Sequence, residues 1–416
     1  MYRPAFGILV FVCFLIGKSA ILNAQWVQTN GLNGGPIVTC LAANGTALFA
    51  GAEGSGVYHS TNDGINWKDI STGLTGDALR IYALLLKGTN LFAGTNNGIF
   101  LSTDEGTNWS NASSGLAGYP SALFISSLVI SDSNLFAGTF NGVYLSTNNG
   151  TSWARTSAGL KGDALIINTL TISGHNLFAG TEKGIYTSTD NGFSWNNAST
   201  ALTGSVYALA MHDASLFAAV YDSGVYRSSN NGANWAAANT GLAGDALIIN
   251  ALTPSGANLF AGTNGGVYRS TDDGGSWVSV SGGLTGKGLT VRSFVIADST
   301  LFAGTGDGVW KCSLTDIKAS ARPATAGLLT KIQLEQNYPN PVNLSTTINF
   351  SIPRSGWVSL RVYDVEGREE AVLLNKSLSA GGYSVRWDAT SIPSGMYRYL
   401  LEADGTVQTR NLIVAK

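Results

Sequence analysis

Short apolar runs alternate with polar turns along most of this chain, and the alternation has a fixed interval. Leu-Phe-Ala-Gly-Thr starts at Leu91, Leu135, Leu177, Leu259 and Leu301, with the variants Leu-Phe-Ala-Gly-Ala at Leu48 and Leu-Phe-Ala-Ala-Val at Leu216. The steps between copies are 43, 44, 42, 39, 43 and 42 residues. In the first repeat an apolar run from Ile37 to Ala43 precedes the run from Leu48 to Ala52. Gly56 to Ser60 follows, and then a strand opened by Trp67 that ends at Gly73 and Leu74. Gly, Asn, Asp or Ser bounds each run, as strands joined by tight turns require. Four strands per repeat of about 40 residues predict an all-β fold, a β-propeller with one blade per repeat. The first two runs are apolar at successive positions, which suits a blade covered on both faces.

The segment between the third and fourth strands is the sharpest motif. It reads Ser60-Thr61-Asn62-Asp63-Gly64-Ile65-Asn66-Trp67 and recurs from Ser102 to Trp109, Ser146 to Trp153, Ser188 to Trp195, Ser228 to Trp235 and Ser270 to Trp277. Its third position is Asp104, Asp190 or Asp272 in three copies and Asn62, Asn148 or Asn230 in the others. Either side chain can bond to backbone further along the turn, and the glycine supplies a positive φ. The six tryptophans are expected to bury their rings between blades. A calcium-loop reading fails, because no glutamate follows at the required spacing. The segment resembles the Asp-box, the bacterial neuraminidase repeat. That resemblance implies a structural turn at the outer edge of the propeller, away from the ligand face.

Seven Leu-Phe phrases against six boxes leave one blade without a fourth strand. After Leu301 the third strand appears as Gly308-Val309-Trp310-Lys311-Cys312, and the pattern stops. Trp26 to Leu32 matches Trp67 to Leu74 with one residue fewer. The N-terminal strand is therefore expected to complete blade seven and close the ring, removing an exposed sheet edge.

Residues 1–24 read as a signal peptide: Arg3, an apolar stretch from Phe6 to Ile16 too short for a bilayer, and Leu22-Asn23-Ala24 before the cut. No other segment is long and apolar enough for a membrane helix. Without Arg3 and Lys18 the chain has 22 basic and 26 acidic residues, a net of about −4. Charged residues make up 12%, about half the usual share. A weakly acidic chain without basic runs argues against nucleic acid. Cys40 stands where other repeats have Ala83, Ser127, Thr169, Ala208, Ala251 and Ser293, and Cys312 stands on a box-serine position. Both read as small packing residues, and no bridge is expected.

The chain changes character after Leu314. With the propeller assigned to 25–314, residues 315–330 are rich in Ala, Ser and Thr and read as a linker. Residues 331–416 hold about seven short alternating runs, expected as a small Ig-like β-sandwich. Their Asn337-Tyr338-Pro339-Asn340-Pro341 opening, Val362 to Arg368, Ser394 to Tyr397 and terminal Lys416 resemble the type A C-terminal sorting domain of the type IX secretion system. The resemblance implies passage through the outer membrane, engagement of that secretion machinery, and release or surface anchoring.

The propeller resembles Asp-box proteins broadly: sialidases, sortilin-type receptors, a seven-bladed photosystem II assembly factor and xyloglucan-type glycoside hydrolases. A sialidase needs an arginine triad and a tyrosine nucleophile with its carboxylate. The propeller offers only Arg80, Arg155, Arg227, Arg269 and Arg292, two of them beside boxes, and His59, His175 and His212 lack metal-ligand spacing. No metal, cofactor or catalytic residue is assigned. A ligand is expected on the face opposite the boxes, from the loops before each first strand and between the second and third. The candidates are Glu53, Asp77, Asn97, Tyr119, Phe140, Asp163, Glu182, Tyr221, Asp222, Asp245, Asn264 and Asp307, with Lys287 beside them. Aromatics beside carboxylates suit a glycan or a protein. Three of the loops repeat Gly-Asp-Ala-Leu, which reads as turn chemistry before it reads as a site. The reading is an exported, non-catalytic binding scaffold; a secreted glycoside hydrolase and an assembly factor for a protein complex are the alternatives.

Overall fold

The computed structural model describes residues 26–32, 35–199, 202, 204–320, 332–337, 339–354, 356–378 and 381–416. The expected signal peptide lies outside them. Two compact units are present, separated by residues 321–331, which also lie outside the described residues.

The first unit contains seven four-stranded antiparallel sheets. The Leu-Phe pair explains how they pack. Successive strand residues point to opposite faces, so Leu91 and Phe92 of blade two enter different cores. Leu91 packs with Phe49 of blade one and Trp109, and Phe92 packs with Leu135 and Trp153 of blade three. The pattern repeats as Phe136 with Leu177 and Trp195, and as Phe178 with Leu216 and Trp235. Each interface thus takes Phe from one blade and Leu and Trp from the next.

The glycine of the phrase sets the distance between blades. A Cβ on Gly94 would stand 2.6 Å from Ile125, and one on Gly138 would stand 2.7 Å from Ile167. Both partners begin the first strand of the following blade. Only hydrogen fits there without moving a neighbour. Blade five has Ala219 at this place.

Blade seven borrows its fourth strand. Val27 pairs with Lys311 and Gln28 with Trp310. Trp26 is 1% exposed and shares a core with Phe260 and Leu301, the surroundings of a box tryptophan. Its Nε1 donates to the Val280 carbonyl of blade six at 2.8 Å. The equivalent bonds run from Trp109 to Ile70 (2.7 Å), Trp195 to Thr156 (2.8 Å) and Trp277 to Ala238 (2.8 Å). Blade seven also borders blade one: Phe302 packs with Leu48 and Trp67, and Trp67 Nε1 donates to Thr29 Oγ1 at 3.1 Å.

The boxes are self-bonded turns. In the second copy Ser102 Oγ donates to Asp104 Oδ1 at 2.8 Å and accepts from the Gly106 N–H at 2.7 Å, while Asp104 Oδ1 accepts from the Asn108 N–H at 2.9 Å. Asn148 makes the same bond to Ser152 at 3.0 Å, which is why Asn and Asp interchange. Donors from Ser194 and Ser188 hold the Asp190 carboxyl down at about 2. Cys40 and Cys312 are not joined in a disulfide, and burial pushes the Cys40 thiol up to about 12.

The expected linker starts as structure. Leu314–Ser320 is a helix, and its Ile317 is fully buried in the core of Trp26 and Trp310. Arg269 of blade six donates from Nη1 to the Ile317 carbonyl at 2.9 Å. Leu314 and Ile317, three apart, share one helix face, which outweighs the small polar composition around them. The propeller unit therefore runs past Leu314.

The second unit has a three-stranded sheet (Gln333–Leu334, Ser345–Ile352, Gly381–Asp388) and a four-stranded sheet ordered Glu369–Leu378, Gly356–Tyr363, Gly395–Ala403, Thr406–Val414. They enclose one core that includes Ile348, Phe350, Val362, Trp387, Tyr399 and Leu412. The motifs hold its corners. Asn337 is buried, its Nδ2 donating to Thr346 Oγ1 at 2.9 Å. Asp364 accepts from the N–H groups of Glu366 and Arg368, both at 2.9 Å, and from Arg368 Nε at 2.7 Å.

Completion of blade seven by the N-terminal strand predicts that Trp26→Ala costs about 3–5 kcal/mol, the range for removing a buried aromatic ring. Chemical denaturation measures this, and a cost under ~1 kcal/mol would refute it. A propeller ending at Leu314 should melt roughly 3 °C or more below one ending at Ser320, because it loses Ile317 burial and the Arg269 acceptor. Equal melting temperatures would contradict the role given to the helix.

Candidate functional site

The innermost strands carry a feature the repeat phrase does not reveal. The first strand of every blade slips register at its second residue: Thr39, Tyr82, Ser126, Asn168, Tyr207, Asn250 and Arg292 have no partner opposite. A bulge leaves one residue outside the ladder and re-aims its side chain. Each first strand contacts those of both neighbouring blades, blade seven with blade one included, so the seven bulges form a ring.

Three of these side chains stitch blades together. Thr39 Oγ1 donates to the Ile81 carbonyl of blade two, and Ser126 Oγ to the Ile167 carbonyl of blade four. Asn250 Nδ2 donates to the Val291 carbonyl of blade seven at 3.0 Å and to Asn264 Oδ1 at 3.0 Å. The rest of the ring is richer chemically. Tyr82 packs on Phe124 with centroids 4.7 Å apart, and Phe124 stacks on Phe140 at 3.9 Å. Tyr207 meets Tyr221 edge-on at 5.6 Å. Burial and the nearby Glu53 carboxylate push the Tyr82 phenol up. Arg292 Nε is buried without a hydrogen-bond partner among the described residues, a donor left for something else.

The residues expected from sequence fall into three groups. Glu53, Glu182, Tyr221 and Asn264 start the loop between second and third strands. Their N–H groups donate to the carbonyls of Ile37, Ile166, Ser205 and Ile248, just before the first strands, at 2.9 to 3.1 Å. Phe140 joins them through its stack on Phe124. These five stand beside the bulges. Asn97 and Asp307 are one residue too far out: their N–H groups bond Thr95 and Thr305 Oγ1, and the position equivalent to Glu53 belongs to Asn96 and Gly306, bonded to the Arg80 and Thr290 carbonyls. Asp222 follows Tyr221 at φ 53°.

Asp77, Asp163, Asp245 and Lys287 lie elsewhere. Each is second in a four-residue 3-10 turn: Gly76–Leu79, Gly162–Leu165, Gly244–Leu247 and Gly286–Leu289. The turns pack between the second strand of their own blade and the third strand of the preceding one. The four side chains are exposed, and Asp77 pairs only loosely with Arg80 at 3.7 Å. Tyr119 precedes the matching turn Pro120–Leu123 and is 54% exposed. Here the turn-chemistry reading describes the geometry.

Sequence reasoning missed the bulged residues and Phe124. A signal was present: between a Val or Ile and a small residue, the second residue of the first strand is Thr, Tyr, Ser, Asn, Tyr, Asn or Arg.

The densest charge cluster lies away from the ring, between blades five and six. His212 Nδ1 is 3.1 Å from Asp273 Oδ1 and Nε2 is 3.0 Å from the Gly256 carbonyl. Arg227 and Ser215 also bond Asp273. Two acceptors for two ring nitrogens require imidazolium. Burial opposes that charge, but the Gly256 carbonyl and the Asp273 carboxylate outweigh it and raise the His212 pKa above 6.5. Among the described residues no group of His, Cys, Asp and Glu is arranged to hold a metal ion, and no helix is long and apolar enough to cross a membrane.

Comparison with known proteins fits this division. Residues 336–415 match the secretion system C-terminal sorting domain, which marks the protein for secretion across the outer membrane to the cell surface or beyond. No curated protein matches the chain. Solved propellers share the fold. YCF48 bound to a D1 peptide is 13% identical, with TM-score 0.54 over 70% of this chain and 96% of that one. PorZ, a surface component of the type IX secretion system of Porphyromonas gingivalis, is 15% identical, with TM-score 0.50 over 92% and 60%. A xyloglucanase from Xanthomonas campestris is 16% identical, with TM-score 0.55 over 86% and 63%.

Because the folded pKa of His212 is raised, its contribution is full below the unfolded value of about 6.5 and fades as pH climbs through the folded value. The stability gap between wild type and His212→Gln should therefore be widest near pH ~5.5 and shrink by pH ~8.5. Urea midpoints across that range measure it, and a gap independent of pH would contradict the ion pair.

Proposed function

We propose that this protein is a secreted or surface-displayed binding module. Its propeller engages a glycan or a protein through the first-strand ring, and its C-terminal unit is the export address. The observation that carries the reading is the ring itself. The strand ladder needs only backbone at the bulges and at the loop starts beside them, yet these positions hold Tyr82 and Phe140, bridged by Phe124, together with a tyrosine pair, two glutamates and an arginine with a free donor. Aromatic surface with a few fixed polar groups is the usual make-up of a recognition site. Glu182 is fixed by donors on both oxygens, Asn168 Nδ2 at 2.9 Å and Ser205 Oγ, which suits an acceptor that orients a ligand.

A secreted glycoside hydrolase is the second reading, favoured by the presence of Glu53 and Glu182 on one ring. A carboxylate pair is what such chemistry needs. The propeller likeness to a xyloglucanase and to a peptide-bound YCF48 is of fold alone and leaves glycan and protein ligands equally open. An assembly role is the third reading.

Arrays of glycans and peptides, probed with the mature chain, test the proposal. Phe140→Ala and Tyr221→Ala should each weaken a genuine hit about tenfold, in line with loss of a recognition aromatic, while Asp163→Ala leaves it unchanged. Hits indifferent to both aromatic changes would place binding elsewhere, and turnover of a bound glycan would favour the hydrolase. In a host with type IX secretion, deletion of residues 332–416 should leave a folded propeller in the periplasm; normal delivery of that truncation would defeat the export role.

A further inference from the structure

Blade five departs from the repeat at one corner of the ring. Blades two, three, four, six and seven end their second strand in Thr95, Thr139, Thr181, Thr263 and Thr305. Each Oγ1 donates to a glycine carbonyl three residues on, at 2.8 to 3.0 Å. Blade one has Ala52 there, and blade five has Val220, followed by Tyr221 and Asp222. Its repeat step is also the shortest, 39 residues. The bulged residue of this blade, Tyr207, is the one member of the seven that is exposed, at 40%, and Tyr221 beside it is 55% exposed. Blade packing does not require this pair: among the bulged residues only Tyr82 of blade two is also a tyrosine, and no other blade has a tyrosine at the position of Tyr221.

The corner has a definite shape. The two rings lie 5.6 Å apart at 80° to each other. Glu182 reaches over from blade four and accepts from Ser205 Oγ of blade five and from Asn168 Nδ2. Burial, this carboxylate and the Tyr221 phenol together push the Tyr207 phenol up, which places all three groups in one neighbourhood. Rings at right angles offer no flat platform for a sugar face. They offer two π-faces, each negative at its centre, beside a fixed negative charge. An anionic ligand would meet Glu182 and Asp222.

We infer that the corner formed by Tyr207, Tyr221 and Glu182 binds an alkylammonium group, as carried by a lysine side chain or a choline-type headgroup. This rests on the reading of the first-strand ring as the ligand face and names what one part of it recognises.

The test titrates the mature chain, by calorimetry or by chemical-shift change, with choline and with Nα-acetyl-lysine amide. Each is paired with a neutral analogue of similar shape, 3,3-dimethylbutanol and Nα-acetyl-norleucine amide. At least one cation should bind, its neutral partner should bind about tenfold or more weakly, and Tyr221→Leu and Glu182→Gln should each cost about tenfold in affinity. Tyr221 is exposed, so an unchanged melting temperature shows that the variant is folded. Preference for choline points to a headgroup, and preference for the lysine derivative to a peptide. Equal binding of cation and neutral analogue overturns the inference, as does binding unchanged in Tyr221→Leu, or none up to about 50 mM. An array ligand that is sensitive to Phe140→Ala but accompanied by no alkylammonium binding would leave the face reading standing and sink this one. Silence from both would sink both.

Discussion

The contact between neighbouring blades governs the rest of this structure. It is built from Phe of one blade with Leu and Trp of the next, and the glycine of the phrase brings the next first strand within touching distance. A single blade cannot bury Leu91 and Phe92 at once, because they point to opposite faces. It needs a neighbour on each side, and the tryptophan ring with its bond to the previous blade fixes the angle between them. Stability is therefore shared along the array, as in other repeat folds. The same logic explains Trp26: whatever completes blade seven must bring a tryptophan to the interface with blade six, and the N-terminal strand does so.

Because the interfaces are met by so few residue types, the rest of each repeat is free to vary. Freedom is greatest where the backbone alone carries the fold. The boxes are not such a place, since each side-chain oxygen is engaged within its own turn. The bulges are. There the ladder skips a residue, and the side chain is Thr, Tyr, Ser, Asn or Arg without harm to the strand. Three bulged residues spend their hydrogen bonds on the next blade, which leaves the tyrosines and Arg292 as the chemically available part of the ring.

What was legible in the sequence follows the same line. The Leu-Phe period and the boxes could be read directly, because side-chain identity there is dictated by packing and by turn hydrogen bonds. Trp26 to Leu32 could be matched to a box strand for the same reason. The bulge is a backbone event, and nothing in the alternation of Val206, Tyr207 and Ala208 announces that Tyr207 leaves the ladder. Asn97 and Asp307 were chosen one residue too far because Thr95 and Thr305 end the strand and turn the chain first. Asp77, Asp163 and Asp245 stand out by charge, yet they are exposed turn residues over the second and third strands. The helix Leu314–Ser320 was hidden by composition, since two apolar residues on one face are enough when a core is waiting for them.

Scarcity of charge gives the remaining ionic groups their meaning. In a chain with 12% charged residues, solubility rests on Asn, Ser, Thr and Gly, and an ionised side chain that is held in place has a local task. Arg227 and Arg269 occupy equivalent strand positions and show the point: one bonds Asp273 across to blade six, the other the carbonyl of Ile317 in the closing helix. Both bonds hold pieces of the propeller together. Glu182 is as firmly placed, between Asn168 and Ser205, but two exposed tyrosines stand beside it and it forms no ion pair among the described residues. A carboxylate immobilised at a cost in side-chain entropy, left without a counter-charge and walled by π-faces, is arranged for a positive group that arrives from outside.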